Sequence, residues 1–121
     1  MVAIMQLRRM EFEMIELTVL SNLVFNDEYY RRVYPYIKSE YFDDQGVKKI
    51  FTAYSDYVDE YNYAPSVEAL KICIDKRKDM NEDSYKQVMS TVDNLKRDED
   101  TNTDWLVSET EKFCQDKDLF N

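Results

Sequence analysis

The chain has 121 residues, of which 44% are apolar and 34% charged, with one Gly and two Pro. That is the length and hydrophobicity of one folded domain rather than a disordered segment, and so few turn-forming residues exclude a sandwich or barrel and predict an all-α fold. The formal net charge of −9, from 25 acidic and 16 basic residues and no histidine, leaves no basic stripe with which to grip a phosphate backbone.

The first helical pattern runs from Glu11 to Phe25. Its apolar residues Phe12, Met14, Ile15, Leu17, Val19, Leu20, Leu23 and Val24 go most of the way round, so this helix is expected to be central. Asn26-Asp27 caps a second helix, in which Tyr30, Val33, Tyr34 and Ile37 recur at helical spacing. Pro35 disfavours the α conformation at Tyr34, so this helix ends or kinks there. SEYFDDQG is a connector. The next helix, Asp44 to Asn62, has the cleanest stripe, with Val47, Ile50, Phe51, Tyr54, Val58 and Tyr61 on one side and Lys48, Lys49, Asp56 and Asp59 on the other. It reads as an ordinary amphipathic helix with one buried face, Tyr61 included.

In YNYAPSVEAL, Pro65 stops that helix and Ser66 caps the next, with Glu68 in its first turn. Val67, Leu70, Cys73 and Ile74 then face the core, and the helix ends near Lys76-Arg77-Lys78. This basic triplet lies between Asp75 and Asp79 and reads as a solvated helix end. A fifth helix, Glu82 to Arg97, shows Tyr85, Val88, Met89, Val92 and Leu95. After the charged loop RDEDTNTD, Thr103 or Asp104 caps a last helix in which Leu106, Thr110, Phe113, Cys114 and Lys117 share a face. EKFCQDKDLFN has neither a C-cap Gly nor a closing Pro, so the pattern runs straight into the terminus, as at a cut through a helix. The sum is a compact bundle of about six helices.

The chemistry expected of an enzyme is absent from this pattern. Gly46 is the one glycine, so there is no phosphate-cradling loop. Cys73 and Cys114 have no partners at metal-ligand spacing and fit small core residues in a reducing compartment. The paired acids Asp43-Asp44, Asp59-Glu60, Glu82-Asp83 and Asp98-Glu99-Asp100 fall in joints or on polar faces and read as solvated. No catalytic, cofactor-binding or metal-ligating residue is assigned. No apolar run reaches the length of a membrane span, and in MVAIMQLRR the arginines follow the apolar stretch, the reverse of a signal peptide.

Most of the ten Tyr and six Phe lie on helical stripes and are expected in the core. Tyr29, Tyr36, Tyr57 and Tyr63 lie off the stripes, where aromatics line interfaces. Trp105 opens the last helix as a lid on the bundle or as an anchor for a partner.

The order of segments VLSNLVFNDEYYRRVYPYIKSEYF, IFTAYSDYVDEYNYAPSVEAL and DWLVSETEKF resembles the N-terminal domain of DnaB-family replicative DNA helicases, most closely those of T-even-type bacteriophages. The resemblance covers Met14 to Asn121 and leaves residues 1–13 as an N-terminal extension. It implies a collar domain of a hexameric helicase that contacts primase or the helicase loader and self-associates in a dimer or ring. It implies no direct nucleic-acid binding by this domain, no membrane contact, no cofactor, and no ATPase activity, since the motor's Walker motifs are not in the chain. It further implies the cytoplasm, that of the host for a phage protein. In the family the last helix continues into a hairpin that makes the collar dimer. Tyr63, Trp105, Phe113, Leu119 and Phe120 are the expected partner-interface residues, the last three as an exposed stub. The alternative is a stand-alone acidic phage protein that inhibits a host nucleic-acid-binding factor by mimicking DNA charge; interleaved bases in most helices weigh against it.

Overall fold

A computed structural model describes residues 2–120, with side chains from Met14 to Leu119. It contains six α-helices, α1 (Val2–Phe25), α2 (Asp27–Val33), α3 (Gln45–Tyr61), α4 (Val67–Asp75), α5 (Glu82–Asp93) and α6 (Thr103–Phe120). Short 3₁₀ turns at Tyr34–Tyr36 and Ser39–Tyr41 join α2 to α3, and no strand occurs among the described residues. Helix α1 therefore starts well before Glu11. The expected division at residue 13 falls inside α1, and the side chains of residues 1–13 lie outside the described residues.

Local chemistry sets most of the boundaries. The side chains of Asn26, Asp44, Ser66 and Asn81 accept the backbone N–H three residues on, at 3.1, 3.0, 3.1 and 2.8 Å, and so satisfy donors that the first turn leaves orphaned. Helix α6 differs from expectation. Asn102, not Thr103 or Asp104, caps it, by accepting the Trp105 N–H at 2.9 Å. Thr103 instead accepts from Asn26 Nδ2 at 3.1 Å, and Asp104 pairs with Arg32 at 2.6 Å. At the other end of α3, Asn62 turns left-handed (φ 63°) and its N–H bonds Val58 O at 2.7 Å. Asn tolerates that conformation better than most residues, which ends the helix cleanly. Pro35 acts as expected, stopping α2 at Val33 and opening the Tyr34–Tyr36 turn. Helix α5 stops at Asp93, short of Arg97, because the Asn94 N–H closes a tight turn onto Ser90 and Thr91 carbonyls at 3.1 Å each. Leu95 is still buried, from the turn rather than from the helix.

The hub is α3, not α1. It packs on α1, α4, α5 and the Ser39–Tyr41 turn, while α6 lies across α2 and that same turn. Val47, Ile50, Phe51, Ala53, Tyr54 and Val58 fill the centre. A run of ring contacts crosses it, Tyr54 to Phe51 at 6.1 Å, Phe51 to Phe42 at 5.1 Å and Phe42 to Phe113 at 6.2 Å. Helix α1 gives Val19, Leu20 and Leu23 to the core, but its buried side also carries the polar Glu16 and Asn22, whereas Met14 and Leu17 are exposed. The reason is the connector. Glu16 Oε1 accepts the Asp43 N–H at 2.6 Å, and Asn22 Nδ2 donates to Asp98 at 3.2 Å. Loop groups that face the bundle must find such partners, so α1 turns a polar strip inward and leaves some apolar surface out.

Candidate interaction surfaces

One of the tyrosines expected at interfaces, Tyr29, is placed otherwise. Tyr29 is fully buried and its hydroxyl shares a 2.7 Å hydrogen bond with Thr110 Oγ1; α6 covers the side of α2 that the stripe left open, and burial raises the hydroxyl's pKa strongly. Tyr36 is half-buried beside a groove of about 500 Å³ between the first 3₁₀ turn and α6. Its hydroxyl has no hydrogen-bond partner among the described residues, and desolvation pushes it up to about 12. Across the groove, Tyr41 donates to Asp118 at 2.6 Å, a contact that pushes Tyr41 up to about 12.

Phe113 does not belong to an exposed stub. It is 6% exposed, packed against Phe42, and Lys117 Nζ lies over its ring. The connector SEYFDDQG supplies Phe42 as its cover. Leu119, 81% exposed, and Trp105, 58% exposed, do face outward. Phe120 lies outside the residues whose side chains are described. Cys73 is half-buried and Cys114 buried, both free thiols, and burial pushes Cys114 up to about 11.

The outward aromatic surface is concentrated at the α3–α4 joint. Tyr63 is 57% exposed, and Tyr61, expected in the core, is 48% exposed. The stripe of α3 outruns the elements that cover it by one turn. Tyr57, one turn back on the same side, contacts both, with ring centroids at 4.8 Å from Tyr61 and 5.6 Å from Tyr63.

The acids are mostly spoken for. Asp44 caps α3, Asp43 takes Lys117, and Asp59 accepts from Tyr34 at 3.0 Å. Arg77 bridges Asp56 and Asp79, and its hydrogen bond holds the Asp79 carboxyl below the usual carboxylate range. Hydrogen bonding from Thr101 does the same for Asp98. Among the described residues no three His, Cys, Asp or Glu side chains gather as a metal site, and no helix is long and apolar enough to cross a membrane.

No model of a known protein family matches the chain. A DnaB-like replicative helicase of Enterobacteria phage T4 is 35% identical to it over 108 residues, which is 89% of this chain and 22% of that helicase. The chain thus spans about a fifth of the length of the curated relative it matches. The resemblance carried by the order of helices and turns is therefore found in the residues themselves, and this six-helix chain is a relative of one part of a DnaB-like replicative helicase.

Proposed function

We propose that the chain is the N-terminal collar domain of a hexameric replicative helicase, a module of ring assembly and protein–protein contact that works apart from the ATP-driven motor. The observation that carries this reading is the asymmetry of the match, nearly all of this chain against about a fifth of the helicase. A helical unit with its own core, no histidine and a single glycine suits a contact module better than a phosphoryl-transfer site, which requires a phosphate cradle. The partners are primase or the helicase loader, together with other copies of the helicase, in the cytoplasm of the host. Residues 14–121 form the domain and residues 1–13 an extension. Trp105, Leu119 and Tyr63 are outward side chains suited to contacts.

The DNA-mimic reading fits less well. A mimic arrays its acids on one face, whereas here Arg31 pairs with Asp27, Arg32 with Asp104, Lys71 with Asp93 and Arg77 with Asp56.

Sedimentation of the purified chain with the primase or the loader from the same genome tests the proposal, run beside an ATPase assay with Mg²⁺ and single-stranded DNA. Co-sedimentation with either protein and no turnover are expected. Turnover by the chain alone, or binding to neither protein, overturns it.

A further inference from the structure

The α3–α4 joint holds a feature that a collar alone does not require. Tyr57, Tyr61 and Tyr63 touch one another pairwise, the Tyr61–Tyr63 centroids being 6.2 Å apart, yet Tyr61 and Tyr63 leave about half of their surface in water. They are held in place rather than loose. The left-handed Asn62 sits between them with its N–H bonded to Val58 O, and Pro65 fixes the chain two residues further on. A rigid aromatic surface binds at low entropic cost, because little is left to order.

Along the chain from residue 55 to residue 68 every charged side chain is acidic. Glu60 is exposed and lies against Tyr61, whose hydroxyl it pushes up. Asp56, one turn back from Glu60, is exposed as well, and the cation it meets, Arg77, is shared with Asp79. Tyrosine faces are themselves negative at the ring centre. An anionic ligand is repelled here. A purely apolar one covers the Glu60 carboxylate without supplying a counter-charge, and a second copy of the same patch brings like charge to like. A planar cation suits both features, since guanidinium stacks on aromatic faces and pairs with carboxylate through a fork of N–H donors.

We propose that Tyr57, Tyr61, Tyr63 and Glu60 form a docking site for an arginine-bearing segment of a partner protein, the guanidinium lying on the exposed rings and donating to Glu60. The site rests on the reading of the chain as a protein-contact module and names where and by what chemistry one such contact is made.

The test is a titration of the ¹⁵N-labelled chain with capped tri-arginine, tri-lysine and tri-glutamate peptides at physiological salt. Saturable shifts confined to residues 56–64 are expected with tri-arginine, with affinity about fivefold above tri-lysine, in line with stacking that ammonium makes less well, and none with tri-glutamate. Tyr61→Ala with Tyr63→Ala removes the response, and Glu60→Gln weakens it about threefold to fivefold, the range of a partly exposed ion pair. Both variants change exposed side chains, and an unchanged thermal melt verifies the fold. Shifts spread across the acidic surface, equal affinity for tri-lysine, or an intact response in the double tyrosine variant each overturn the site. Co-sedimentation of the double variant with primase or loader separates the two proposals. Loss of binding in the variant supports the site, full binding in the variant overturns the site and leaves the module reading standing, and absence of binding in the unaltered chain removes that reading.

Discussion

Glu16 places a carboxylate inside an apolar bundle, 1% exposed, where it holds the backbone N–H groups of Asp43 and Asp44. Burial raises its pKa above the ordinary value of 4.5, more than those hydrogen bonds lower it. The folded state therefore takes up this proton more readily than the unfolded state, and Glu16's contribution to stability falls as pH rises from the ordinary carboxylate value through the raised one. Glu16→Gln keeps a carbonyl oxygen for the Asp43 N–H and loses the titration. Melting both proteins across pH is expected to show the variant gaining on the unaltered chain as pH rises; a constant difference contradicts this account. Phe113 and Leu119 offer a second contrast, six residues apart on α6. Phe113→Ala empties a packed site beside Phe42 and is expected to cost about 3–5 kcal/mol in denaturant melts, while Leu119→Ala, at an exposed position, stays within about 0.5 kcal/mol.

At the scale of elements, the joint from α3 to α4 is set by three residues in a row of five. Asn62 supplies the left-handed turn, Pro65 bars continuation, and Ser66 accepts the Ala69 N–H at 3.1 Å. Ser66→Ala is expected to lower stability by about 1 kcal/mol through the lost cap, and Asn62→Val by about 1–2 kcal/mol through the strain of a branched residue at positive φ; thermal melts read both. These were the features legible in the sequence, because caps and breakers act within three or four residues of themselves. What covers a helix face was not. The stripe of α2 runs through Tyr30, Val33, Tyr34 and Ile37, yet Tyr29 is the most buried tyrosine beside Tyr54, since α6 closes over it from 81 residues away. The same blindness put Tyr61 in the core and Phe113 outside it. Helical phase tells which residues share a face; only the tertiary neighbours decide whether that face ends in another helix or in water. The candidate interface suffered most, because exposure is what defines it. Of its expected members, Tyr63, Trp105 and Leu119 face outward and Phe113 does not.

For the molecule as a whole, α1 and α6 run antiparallel. Asn26 meets Thr103 where α1 ends and α6 begins, while Glu16, further back on α1, and Lys117, further along α6, both hold Asp43. Met14 and Leu17 on α1 and Leu119 on α6 are exposed apolar side chains. Exposed apolar surface of this kind marks sites of association. On the proposed collar reading, the chain joined to the segment that follows the matched region in the T4 helicase is expected to self-associate more strongly than the 121-residue chain, as sedimentation velocity reads it. An unchanged sedimentation coefficient removes the hairpin carried over from the family.

Trp105 is the one tryptophan, and it is 58% exposed at the head of α6. An indole already in water emits at nearly the same wavelength after the chain unfolds, so its fluorescence hardly registers melting. The same position makes it a sensitive spectator of company. Any surface that closes over the head of α6 strips water from the ring and moves its emission to the blue, which lets a single cuvette distinguish a partner bound from a protein lost.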